Sequence, residues 1–126
     1  MALKFFKCMH CGNVAVKVLD SKVPLMCCGE KMVELTSNTE DAAQEKHVPV
    51  ATVDGAAVSV VVGSVEHPMT ADHYIAFICL ETQKGYQIAP LTATDAPKAA
   101  FTVADGDKAV AVYEYCNKHG LWKAEL

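Results

Sequence analysis

The sequence predicts an all-β chain: a small β domain over residues 1–36 and a seven-stranded immunoglobulin-like β-sandwich over residues 37–126. Three observations carry that prediction. Four of the six cysteines fall within 21 positions, Cys8 to Cys28, in a stretch with few large apolar residues. From His47 onward, runs rich in Val, Ile, Tyr and Phe recur about every ten residues. Turn-forming pairs, Asp54-Gly55 and Asp105-Gly106, separate several of these runs.

Taken in order, residues 1–36 hold too few large apolar side chains to fold unaided. A bound metal is expected to supply the missing stability. Ser37 to Gln44 is polar and acidic and reads as a linker. Within it, Ser37-Asn38-Thr39-Glu40 has the pattern of a capping box and predicts one short helical turn. Strands follow at 48–53, 56–63, 73–81, 85–90, 98–104, 108–115 and 120–125, with both Asp-Gly pairs read as hairpin turns. Seven short strands at this spacing predict a sandwich.

Strand parity gives this frame a working end. If each connection reverses the chain, the turns at 54–55, 82–84 and 105–106 share one end. The segment before the first strand, the 64–72 loop and the 116–119 loop share the other. His47, His67, His73, Cys116 and His119 then converge, on loops held by a rigid scaffold.

Composition removes several function classes. The net charge is -4 and no basic cluster is present, which argues against a nucleic-acid partner. The longest apolar run, Ala56 to Val65, is about half the roughly 20 residues of a spanning helix. No secretory signal is read at the N-terminus, so the expectation is a cytoplasmic protein without a membrane anchor. Adjacent Cys27 and Cys28 suit reduced, metal-binding thiols better than a disulfide between them.

Cys8-x-x-Cys11 followed by Cys27-Cys28 reads as a closed four-thiolate metal site, with Gly12 and Gly29 suited to the tight turns around it. Spacing leaves zinc and iron open there, with zinc favoured. His10 is read as a solvated loop residue. The second set, His47, His67, His73, His119 and Cys116, exceeds what a structural zinc uses. Four imidazoles and one thiolate suit an iron that keeps one position open. Blue copper would want a Met shortly after the Cys, and Gly-Leu-Trp-Lys-Ala-Glu-Leu follows His119 instead. Glu45 and Lys46 precede the first histidine: Lys46 is read as an anion-attracting mouth charge, Glu45 as a carboxylate for the open position. Cys79, mid-strand, is read as a small buried apolar residue, and Met69, Tyr115 and Trp122 as packing.

These motifs resemble those of the desulfoferrodoxin family, the two-iron form of superoxide reductase. Cys8-x-x-Cys11-Gly12-Asn13 with Cys27-Cys28-Gly29 is similar to its desulforedoxin-like first domain. Asn38-Thr39-x-Asp41-Ala42-Ala43-x-Glu45-Lys46-His47-Val48-Pro49 is similar to its catalytic loop. His67-Pro68-Met69, His73-Tyr74-Ile75 and Cys116-Asn117-x-His119-Gly120-Leu121-Trp122 are similar to the ligand motifs of its neelaredoxin-like second domain. The resemblance implies two non-haem irons per chain. The first would lie on Cys8, Cys11, Cys27 and Cys28. The second would lie in a plane of His47, His67, His73 and His119 with Cys116 axial. It further implies Glu45 as sixth ligand of the ferric state, Lys46 as the charge facing superoxide, a rubredoxin-like electron donor and a homodimer. The implied reaction is one-electron reduction of superoxide to hydrogen peroxide without oxygen production. The alternative reading is a non-catalytic electron carrier or zinc-ribbon binding module.

Overall fold

The structure, a computed structural model, describes residues 3–126. The chain divides into two compact units, one ending at Thr36 and the other spanning Ser37–Leu126.

In the first unit, β1 (Phe5–Lys7), β2 (Val14–Val16) and β5 (Val33–Glu34) form a three-stranded antiparallel sheet in the order β2-β1-β5. A separate hairpin pairs β3 (Met26–Cys27) with β4 (Glu30–Lys31). Strands this short cover little. Among the described residues of this unit only Phe5 and Cys8 are buried, while Val18, Leu19, Val23 and Met26 are exposed.

The second unit begins with a four-residue helix, α1 (Gln44–His47), and continues through seven strands. β6 (Pro49–Asp54), β7 (Ala57–Val62) and β10 (Lys98–Thr102) make one sheet in the order β10-β7-β6. β8 (Ile75–Thr82), β9 (Tyr86–Pro90), β11 (Ala109–Cys116) and β12 (Gly120–Glu125) make the other, β12-β11-β8-β9. All pairings are antiparallel. β7 alternates exposed and buried along its length, and its inward Val58, Val60 and Val62 meet Ile78, Leu80 and Val112 of the opposite sheet. Each such side chain contributes about 1.5–3 kcal/mol by leaving water.

Three local expectations are corrected. Residues 37–40 do not form a helical turn. Asn38 takes a left-handed backbone (φ 60°) and its side chain pairs with β12, accepting from Lys123 N–H at 2.7 Å and donating to Lys123 O at 3.1 Å. The helical turn lies at Gln44–His47, inside and just beyond the expected linker. The Asp105-Gly106 turn is not a hairpin, because it joins β10 of one sheet to β11 of the other; Asp54-Gly55 does close a hairpin, with Asp54 opposite Ala57. His73 precedes its strand, held in a turn by Thr70 through two backbone bonds and the threonine hydroxyl.

The ends sort as parity requires. Gln83 N–H donates to Lys108 O and Lys84 N–H to Asp107, while residues 55–56 and 103–107 line one small pocket. At the opposite end, Asn117 ties the β11–β12 turn to the loop before β8. It accepts from Tyr74 N–H (2.9 Å) and donates to Asp72 O (2.9 Å).

Candidate metal centre

The upstream cluster is made by turns. Cys8 N–H donates to Asn13 O at 2.8 Å, and Gly12 N–H donates back to Cys8 O at 2.9 Å. That reversal requires a left-handed residue, supplied by Gly12 at φ 85°. The second pair repeats the demand at Cys28 (φ 52°) and Gly29 (φ 77°). The result brings the four Sγ atoms of Cys8, Cys11, Cys27 and Cys28 within 4.8 Å of one another. Cys11 and Cys27 sulfurs are 3.5 Å apart, Cys27 and Cys28 sulfurs 4.0 Å, and all are free thiols. A tetrahedral ion with sulfur at about 2.3 Å has edges of about 3.8 Å, so the spacing fits one ion. The Cys11 N–H faces Cys8 Sγ at 3.4 Å and holds that thiol down to about 6. Contacts with the Cys11 and Cys8 thiols, together with burial, push Cys28 up to about 12. Four thiolates therefore stand together only around a cation. His10 is exposed and outside this cluster.

In the second unit, His47 Nδ1 lies 2.7 Å from Ala43 O, and His67 Nδ1 lies 2.7 Å from Pro68 O. A carbonyl only accepts, so each Nδ1 carries the proton and each Nε2 presents a lone pair. These two Nε2 atoms nevertheless face each other at 3.2 Å. Two lone pairs at that distance repel unless a cation lies between them. Metal–nitrogen bonds of about 2.1 Å at right angles place neighbouring nitrogens about 3.0 Å apart. The separations of 3.2 Å here and 3.0 Å from His47 Nε2 to His119 Nδ1 match that edge.

The four rings form a square. Around it, His47, His67, His73 and His119 have successive centroid separations of 4.7, 4.6, 5.0 and 4.8 Å, with neighbouring planes crossed at 78–88°. The His47–His73 diagonal is 6.4 Å. Cys116 Sγ lies 3.5 Å from His67 Nε2 and 3.9 Å from His119 Nδ1, nitrogens from opposite corners. With Sγ also within 4.8 Å of the His47 and His73 ligating atoms, these distances put the sulfur to one side of the plane of the square. His73 Nε2 is buried with no hydrogen-bond partner, as a nitrogen reserved for a metal would be. The ligating atoms of His47, His67, His73 and Cys116 lie within 4.8 Å of one another.

Burial sets the protonation states. It holds the His67 imidazole down to about 4 and lowers His47 and His73, keeping the rings neutral and able to ligate. It pushes the Cys116 thiol up, so a bound cation is what would draw off that proton. Trp122 stacks on His47 at 5.1 Å and donates from Nε1 to His119 O at 2.9 Å, which fixes two corners at once. Tyr115 stacks on Phe77, and Met69 Sδ accepts from Ile75 N–H. Cys79 is fully buried and its thiol is pushed up to about 12 by burial, as an apolar core residue.

Glu45 and Lys46 stand exposed on α1, next to His47. The Glu45 carboxylate belongs to neither cluster among the described residues. Lys46 borders an open cleft of about 560 Å³ that also reaches His67 and Asp95. Two contributors escaped the sequence reading. Asn117 is visible there only as the second residue of the Cys116 motif, and its role as a tie between loops needs the fold. Glu114 lies two positions before Cys116, wholly buried, with neither carboxylate oxygen hydrogen-bonded and its pKa pushed to about 9 by burial.

The family model for desulfoferrodoxin matches residues 39–125. A desulfoferrodoxin of Clostridium acetobutylicum is 41% identical over 125 residues, covering 98% of this chain and 97% of that protein. The chain belongs to the desulfoferrodoxin family. A second desulfoferrodoxin, from Nitratidesulfovibrio vulgaris, is 43% identical over 122 residues, covering 97% of this chain and 95% of its own. The crystal structure of the superoxide reductase from Treponema pallidum is similar throughout, with TM-score 0.84, 38% identity, and coverage of 99% and 100% of the two chains. As a desulfoferrodoxin-family chain, the protein carries two distinct metal-binding clusters, one of four thiolates and one of four imidazoles with a thiolate, as two non-haem irons require. No helix among the described residues is long and apolar enough to cross a membrane.

Proposed function

We infer that the protein is a superoxide reductase. One observation carries this: a square of four imidazoles with a single thiolate to one side of its plane. These five donors would hold an iron and leave it able to take one small ligand, and the Cys116 thiolate would lend that iron electron density. Bound in that set, ferrous iron supplies the one electron that, with two protons, converts superoxide to hydrogen peroxide. In this reading His47, His67, His73, His119 and Cys116 hold the reacting iron, and Cys8, Cys11, Cys27 and Cys28 hold the other. Family membership and the fit of both donor sets to iron support it.

The remaining roles fall to the turn at α1. Lys46, beside the cleft that reaches His67, draws the superoxide anion in against the chain's net charge of -4 and orients a water for protonation. Glu45, on the same turn, would offer its carboxylate to an oxidised ion held in this set. The resemblance extends the reading to a cytoplasmic homodimer served by a rubredoxin-like donor.

Metal analysis tests the assignment. Two irons per chain, each with a thiolate-to-iron band, are expected; zinc in the first cluster with nothing in the second would contradict it. Lys46→Ala should slow superoxide capture about tenfold at low salt and flatten its dependence on ionic strength. An unchanged second-order rate at low salt would remove the steering role. Glu45→Ala should leave superoxide consumption at the parent rate and alter the ferric absorption spectrum. An identical ferric spectrum would show that Glu45 is not the sixth ligand.

A further inference from the structure

Glu45 and Lys46 sit on an exposed turn, and the roles given them above need that turn beside the imidazole square. The backbone explains what could hold them. In a continuing helix the Glu45 carbonyl would accept from the residue four positions on, but that residue is Pro49, which has no N–H. Val48 N–H still bonds Gln44 O at 2.9 Å, so α1 stops one bond short with the Glu45 carbonyl left over. A leftover carbonyl must find a donor elsewhere.

It finds two, both from the segment that follows β7. Val65 N–H donates to Glu45 O at 2.9 Å, and Ser64 Oγ donates to the same oxygen at 3.2 Å. Gly63 completes the contact by having no side chain. A Cβ placed on it would stand 2.6 Å from Glu45 O and 3.0 Å from both Lys46 C and Val48 O. All three are backbone atoms, which cannot swing aside as a side chain would. The same segment also positions a ligand, since His67 N–H donates to Val62 O at 2.9 Å.

We propose that Gly63-Ser64-Val65 is a clamp that sets the depth of the Glu45-Lys46 turn over the imidazole square, with Gly63 as its positioning residue. None of the three touches superoxide or iron; they act through Glu45 and Lys46. The inference rests on the superoxide reductase reading for its consequences, while the clamp itself is a matter of backbone geometry. A methyl group at 63 lifts the turn, moving the lysine charge off the mouth and the Glu45 carboxylate out of reach of the square together.

The test uses the iron-loaded full chain with Gly63→Ala, Ser64→Ala, Lys46→Ala and the double variant Gly63→Ala/Lys46→Ala. Gly63→Ala is expected to lose a substantial part of the low-salt superoxide rate, up to the about tenfold available from a steering charge, with a flatter salt dependence. Its ferric spectrum should shift the way that of Glu45→Ala does. The double variant should be no slower than Lys46→Ala alone, because both changes remove one contribution. Parent-like rate, salt dependence and ferric spectrum in Gly63→Ala would overturn the proposal. So would a loss that adds in full to that of Lys46→Ala with an unaltered ferric spectrum. If Gly63→Ala loses iron from the second cluster, Ser64→Ala decides, since it removes one donor and clashes with nothing. A smaller shift in the same direction supports the clamp, and parent behaviour overturns it. Should the parent chain consume no superoxide, the functional reading fails, and the ferric spectra of these variants still judge the clamp.

Discussion

Cys116→Ser is expected to abolish superoxide reduction and to remove the thiolate-to-iron band of the second centre. The sulfur is wholly buried at the end of β11, near nitrogens from two opposite corners of the square, with the Lys118 and His119 N–H groups directed at it. No other cysteine is available to replace it. Cys79 lies within β8, opposite Tyr113, and belongs to neither donor cluster. A serine hydroxyl is nearly the same size but a poor electron donor and resists ionisation, so the electron density that Cys116 would lend a bound iron is lost. The fold should survive, because the change costs about 1–3 kcal/mol for a buried hydroxyl without a strong partner. Iron content, the visible spectrum and superoxide consumption measured on one preparation check this. Full turnover in the serine variant would refute the thiolate role.

The second large effect concerns the first unit. Removing its metal, by a chelator under reducing conditions or by Cys27→Ser, should unfold residues up to Thr36 while Ser37–Leu126 stays folded. Strands of two and three residues with, among the described residues, only Phe5 and Cys8 buried cannot offset the entropy of ordering the segment. Metal–thiolate bonding in small zinc peptides is worth on the order of 10 kcal/mol, which is the scale required. The sandwich has its own core of Val58, Val60, Ile78, Leu80 and Val112 and needs no such support. Residue-resolved amide exchange reads both units together. Protection should vanish from β1, β2 and β5 and persist in β7, β8 and β11. Protection that survives metal removal in the first unit would show that its side chains suffice.

Much of this was legible because period and turn chemistry act locally. β7 is legible as a run of β-branched residues, although only Val58-Ser59-Val60 shows its alternation in the sequence, and Gly55, at φ 60°, opens the two-residue Gly55-Ala56 loop between paired Asp54 and Ala57. Parity then placed His47, His67, His73, His119 and Cys116 at one end without any knowledge of sheet order. What failed depended on distant partners. Asn38 carried a helix-start pattern, but β12 offered it a pair of backbone groups at Lys123 and drew it into a left-handed turn. Asp105-Gly106 has the same local chemistry as Asp54-Gly55, yet its flanking strands pair in different sheets. The four-residue α1 is too short to show a period, and its end depends on Pro49 and on donors some twenty residues away. Glu114 falls on a strand that is buried on both faces, where alternation no longer tells which side chain enters the core.

The most direct test of the central claim is the stoichiometry of the reaction. The fully reduced protein is mixed with a known pulse of superoxide under anaerobic conditions, and superoxide, hydrogen peroxide and oxygen are followed together. The account predicts one hydrogen peroxide for each superoxide consumed, one oxidised centre for each, and no oxygen. Oxygen evolved alongside half as much peroxide, or superoxide decaying no faster than in buffer, would contradict it.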